Sequence, residues 1–173
     1  MCPKLYSEIR AMVLLYLDQN YLSGIVKRKP GFRELEPVLR AAVARGALGV
    51  PESRAHRLES EPRPDLPLLE LVRELSGGLR LPDKPGARER GYQGRMARVA
   101  ADHFPERRRL ESDSVDLQAI ALALSRCRLI TCDAFMADVV RRTRLEVLCD
   151  AEVFTGRRAD VDRLRERLEE LST

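Results

Sequence analysis

The sequence predicts an α/β fold: a central, mostly parallel β-sheet flanked by helices, with a helical insertion and a C-terminal helix. Two observations carry this. Short apolar runs of strand length, at residues 11–17, 47–51, 128–132 and 145–149, alternate with segments of helical periodicity. The first run, AMVLLYL, is apolar without alternation, as expected of a strand covered on both faces. At 173 residues the chain is long enough for one domain with a real core.

The elements follow in order. AMVLLYL (11–17) stops at Asp18, and YLSGIVKRKPG is a short helix closed by Pro30 and Gly31. RELEPVLRAAVARG repeats Leu35, Val38, Leu39, Ala42 and Val43 at helical spacing and stops at Gly46. ALGVP (47–51) is a short strand, after which Ser53 offers an N-cap to RAHRLESE. PRPDLP (62–67) is a turn-rich link and LLELVREL a helix ended by Gly77 and Gly78. ARERGYQGRMARVAADHF forms a helix although Gly91 and Gly94 each cost it about 1 kcal/mol relative to Ala. Residues 62–109 therefore read as a helical insertion within a single 1–173 domain.

Regular patterning returns in DSVDLQAIALALSRC, an apolar helix from a Ser or Asp cap, leading to the strand RLITC. AFMADVVRRTR is the next helix, and LEVLC (145–149) alternates as a strand does. The tail, about 158–172, sets Val161, Leu164, Leu168 and Leu171 along one stripe of an amphipathic helix.

A 44% apolar and 34% charged composition describes a soluble domain with a heavily charged surface. The formal charge of +4 permits a polyanionic partner, and the basic runs ERRRL (106–110), RRTR (141–144) and GRR (156–158), with Arg88, Arg90, Arg95 and Arg98, concentrate it. Each run alone also suits a solvated face. Cys2, Cys127, Cys132 and Cys149 contain no CxxC pair, which fits a reduced, cytoplasmic protein. AMVLLYL is too short to span a bilayer and lacks a cleavage site, so neither a signal peptide nor a membrane anchor is expected.

Parallel sheets gather ligands beyond the carboxyl ends of their strands. Asp18 follows the first strand and Asp133 follows RLITC; Glu59 lies one to two turns into the helix after the second strand, and Asp116 in the first turn of the helix feeding RLITC. Singly, Asp18 and Asp133 also suit strand-end turns or caps, and Glu59 a solvated helix beside Glu52 and Glu61. Asp113 rivals Asp116. Together the four acids can share one rim, where their mutual repulsion is relieved by hard divalent cations, which prefer carboxylate oxygens. The matching chemistry is metal-assisted phosphodiester hydrolysis. His56, three residues before Glu59, either reaches the same site or is structural. His103 and Asp138 read as surface residues.

The segments YLDQNYLS (16–23), VPESRAHRLE (50–59), DLQAIALAL (116–124) and LITCDAF (129–135) resemble, in order, the four acidic motifs of PIN-domain ribonucleases, which include the toxin nucleases of bacterial toxin-antitoxin pairs. The resemblance covers about residues 11–61 and 110–150. It implies a PIN-like fold, an endoribonuclease activity, and one or two Mg²⁺ or Mn²⁺ ions held by Asp18, Glu59, Asp116 and Asp133. It implies accessory roles for Asn20, Ser23 and Thr131. It names as candidate partners an RNA substrate and an antitoxin or other protein inhibitor; the tail stripe and the insertion also offer faces for a homodimer. The alternatives are a catalytically weak PIN-like module that binds RNA or protein, and a phosphatase or phosphotransfer domain using Asp18 with Lys27.

Overall fold

A computed structural model describes residues 12–107 and 111–171. Its elements are β1 (Val13–Tyr16), α1 (Gln19–Val26), α2 (Phe32–Ala44), β2 (Leu48–Gly49), α3 (Arg54–Ser60), α4 (Leu68–Ser76), α5 (Ala87–His103), α6 (Glu111–Leu124), β3 (Leu129–Thr131), α7 (Ala134–Thr143), α8 (Leu145–Leu148), β4 (Glu152–Phe154) and α9 (Arg158–Glu170). The strands form one sheet in the order β2-β1-β3-β4, with every pairing parallel. The α/β expectation therefore holds, with the sheet wholly parallel among the described residues.

Alternation along the strands divides the interior in two. Leu15, Leu129 and Phe154 face a core built with α1, α2, α4 and α9, whereas Tyr16, Ile130 and Val153 face one built with α5, α6 and α7. This two-sided burial is why the strand sequences are apolar runs. Close packing on the first face needs Gly24, where a Cβ would stand 2.6 Å from the Phe32 ring. The amphipathic tail spends Val161, Leu164 and Leu168 on its own chain, packing α9 against α2. Val161, Leu164 and Leu168 are buried against this chain's own core, and Leu171 is partly buried.

The segment expected to be an insertion supplies α4, which packs on α1 and α3, and α5, which packs on α6 and α7. Leu68, Val72, Leu75 and Met96 are buried, so both helices belong to the cores.

Two expectations are corrected. Residues 145–149 are not a strand: 145–148 form the turn α8, and the fourth strand is Glu152–Phe154, paired through Leu129↔Glu152, Ile130↔Val153 and Thr131↔Phe154. Strand alternation would bury Leu145 and Val147 together, but Leu145 is buried while Val147 is 62% exposed. After α7 ends at Arg144 in the left-handed region (φ 56°), the chain needs this extra turn to return to the sheet's starting edge. The second correction concerns α6, which begins at Glu111, so Asp116 sits in its second turn rather than its first. Asp113 is not the cap; it pairs with Arg107 through two hydrogen bonds of 2.6 and 3.0 Å. Among the described residues, no helix is long and apolar enough to cross a membrane.

Candidate functional site

The adjacent β1 and β3 end in the two aspartates that open helices. Asp18 caps α1, its Oδ1 accepting from Tyr21 N–H at 3.3 Å, and Asp133 caps α7, its Oδ1 accepting from Met136 N–H at 2.6 Å. Capping is thus a real role of both, and it aims each carboxylate beyond the sheet's carboxyl edge. Thr131, fully buried on β3, joins the two strand ends. Its Oγ1 accepts from Asp18 N–H at 2.7 Å, and its hydroxyl faces Tyr16 O at 3.2 Å and Asp18 Oδ1 at 3.0 Å.

Glu59 is carried by α3, whose start is held by a reciprocal cap: Ser53 Oγ accepts from His56 N–H at 3.2 Å and His56 Nδ1 accepts from Ser53 N–H at 3.0 Å. That acceptor role leaves the proton on Nε2, which donates to Leu17 O at 2.5 Å. His56 is buried and stacks on Tyr16 with ring centroids 5.3 Å apart. It is therefore a structural tie between the end of β1 and α3, the structural one of the two roles its spacing allows, and it does not line the acid cleft. His103 is exposed, with its Nδ1 3.4 Å from Arg142, and Asp138 pairs with Arg142 on the α7 surface.

Asp18, Glu59, Asp116 and Asp133 all line one cleft of about 610 Å³. The Glu59 and Asp116 carboxyl groups are close enough for each to perturb the ionisation of the other, as two like charges facing one cleft do. Burial, then Asp116 and Asp18, push Glu59 up to about 8. Burial also raises Asp116, with Asp133 and Asp113 adding repulsion and Arg107 opposing it. Asp18 is pushed up to about 6 by burial, although Thr131 and the N–H groups of Tyr21 and Asn20 favour its charged form. Among the described residues, no group of three or more His, Cys, Asp or Glu side chains is arranged to hold a metal ion.

Asn20 and Ser23 also line the cleft, and Asn20 is exposed on its rim. Lys27 is exposed and does not line the cleft. Cys132 lies beside Asp133, and burial pushes its thiol well up, leaving it a small apolar wall residue.

Three cleft residues escaped the sequence reading. Tyr16 lines the cleft and stacks on His56. Gln19 donates to Ser60 Oγ at 3.5 Å, while its buried Oε1 has no hydrogen-bond partner among the described residues. Arg63 is exposed on the rim, contributes the cleft's basic side chain, and forms no ion pair among the described residues. Only adjacency hinted at them: Gln19 follows Asp18, and Arg63 sits in the turn-rich link just after α3.

The Arg runs divide. Arg107 pairs with Asp113, Arg142 with Asp138 and Arg158 with Asp162, whereas Arg141 donates to Val153 O. Arg108 and Arg109 lie outside the described residues. Comparison with protein-family models, curated proteins and solved structures finds no match for the chain.

Proposed function

We propose that this chain is a PIN-like, metal-dependent ribonuclease that hydrolyses RNA phosphodiester bonds. One observation carries the reading: carboxyl groups from four separate segments line a single cleft at the carboxyl end of a parallel sheet. The donor chemistry fits Mg²⁺ or Mn²⁺, which take carboxylate oxygen from one or two side chains and keep several waters, and Glu59 and Asp116 would be the pair to hold it. A bound cation there supplies charge neutralisation at phosphorus and a water acidic enough to attack near neutral pH.

The chain's own residues do the rest. Thr131 and the α1 N–H groups hold the Asp18 carboxylate in place, and the α7 N-terminus holds Asp133. His56 and Ser53 fix α3 and hence Glu59. Arg63 meets a phosphate at the rim, and Gln19 Oε1 offers an acceptor to a water or a ribose hydroxyl. Calorimetric titration with Mn²⁺ tests the site. Wild type should bind with heat that Asp116→Asn loses, and equal binding by both proteins contradicts the assignment.

A second reading is favoured by the lack of a ready-made three-donor group among the described residues. In it, the chain is a catalytically weak module that binds RNA or a protein such as an antitoxin. It expects RNA binding without Mn²⁺-dependent cutting.

A further inference from the structure

A second cavity, of about 600 Å³, lies on the other side of α6 from the acid cleft. α6 turns Asp116 to the cleft but Asp113, Ser114 and Leu117 to this cavity, and the first turn of α7 turns Met136 to the cleft but Phe135 to the cavity. The two spaces therefore flank one ridge.

The cavity wall has the chemistry of a base platform. Phe104 and Phe135 meet edge to face, with centroids 5.1 Å apart and planes at 77°. The Arg107 guanidinium lies 3.7 Å over the Phe135 ring, held flat by its two bonds to Asp113. Opposite them, α5 leaves room instead of filling it: a Cβ on Gly94 would meet nothing within 4 Å. The amide of Gln93 and the hydroxyl of Ser114 line the same space and make no side-chain hydrogen bond among the described residues. Both can read the polar edge of a planar ligand.

We infer that this cavity binds a nucleobase of single-stranded RNA next to the nucleotide whose phosphate lies in the acid cleft. Unstacked bases of single strands are held on aromatic and guanidinium faces with hydrogen bonds to their edges. Charge favours RNA over an apolar peptide: Arg90 and Arg107 line the cavity, and α5 carries Arg88, Arg95 and Arg98 as well against one exposed acid, Asp102, its Glu89 being buried against Arg126. The inference rests on the ribonuclease reading for the identity of the polymer, but binding tests it apart from cutting.

The experiment measures fluorescence anisotropy of a labelled single-stranded hexaribonucleotide in EDTA, and in parallel its cleavage with Mn²⁺. Wild type, Gly94→Leu, which fills the cavity, and Phe135→Ala, which removes the platform, are compared. Each RNA is also made with one abasic nucleotide at successive positions. Each substitution should weaken binding about tenfold. One abasic position should weaken wild type equally and cost Gly94→Leu nothing more. Unchanged affinity in both variants, or abasic and Gly94→Leu losses that add independently, overturns the inference even where wild type cuts RNA. Loss in Gly94→Leu of self-association or of protein binding, with RNA affinity intact, overturns it too. A wild type that binds RNA in the expected pattern but never cuts it contradicts the proposed function and leaves the base site standing. Helix content by circular dichroism confirms folding, and Phe135→Ala with the abasic series supplies the same cycle if Gly94→Leu does not fold.

Discussion

Thr131 accepts the backbone N–H of Asp18 at 2.7 Å across 113 residues of sequence, and so locks the carboxyl end of β1 to that of β3. The same hydroxyl stands 3.0 Å from the Asp18 carboxylate, so one side chain fixes both the backbone turn and the charge it delivers. Replacing Thr131 by Val keeps the shape and removes the partner of a buried N–H. Stability should fall by about 1–3 kcal/mol, read from urea unfolding, and Thr131→Ser should restore most of it. A fully stable Thr131→Val means the bond is unimportant.

The cleft carboxyls should make the protein less stable as pH rises. Asp18 and Glu59 have folded values of about 6 and about 8, above their ordinary 3.8 and 4.5, so the folded state holds more protons than the unfolded chain in between. Their stabilisation is present at low pH and is lost as pH rises through those folded values. His56 acts oppositely: burial pushes it to about 4 from 6.5, so its contribution is lost as pH falls below 6.5. Above pH 6.5 the carboxyl trend remains, and the buried Cys127 and Cys132 thiols, pushed up by burial, add to it in the same direction as pH approaches their ordinary value of 9.0. The melting temperature in EDTA should drop by a few degrees from pH 6.5 to 8.5. A rise over that interval contradicts the repulsion.

Asp116→Asn should therefore stabilise the protein at pH 8.5, because it removes a like charge that repels the Glu59 carboxylate. It should also flatten the pH dependence just described. Thermal scans of wild type and variant at pH 6.5 and 8.5 check this. An equal or lower melting temperature for the variant at pH 8.5 means the two carboxyls are not held against each other.

Arg63→Ala should weaken RNA binding without changing Mn²⁺ affinity. Loss of one phosphate contact should reduce the slope of log affinity against log salt by about 1. Anisotropy titrations at several salt concentrations read that slope. An unchanged slope places Arg63 away from the phosphate path.

Much of the site is legible in the sequence because it is local. An apolar run followed by Asp is a strand that ends in a helix cap, and Asp18 and Asp133 follow from that rule. Ser53 announces α3, and so brings Glu59 with it. The rest needs contacts between distant segments. Five residues such as LEVLC alternate equally well as a strand or a helical turn, and only the exposure of Val147 and Leu148 decides for the turn. His56 has the spacing of a site residue, yet its ring is taken up by Tyr16, Ser53 and Leu17. Gln19 and Arg63 gain meaning only when α1 and the segment after α3 are brought to one cleft.

The most direct measurement is cleavage of a labelled single-stranded RNA panel by wild type and Asp116→Asn, with Mn²⁺ or Mg²⁺ and with EDTA. The four-carboxylate account expects cutting by wild type only when the cation is present, and a loss of at least about 100-fold in the variant. No cation-dependent cutting of any RNA, or equal cutting by the two proteins, contradicts it.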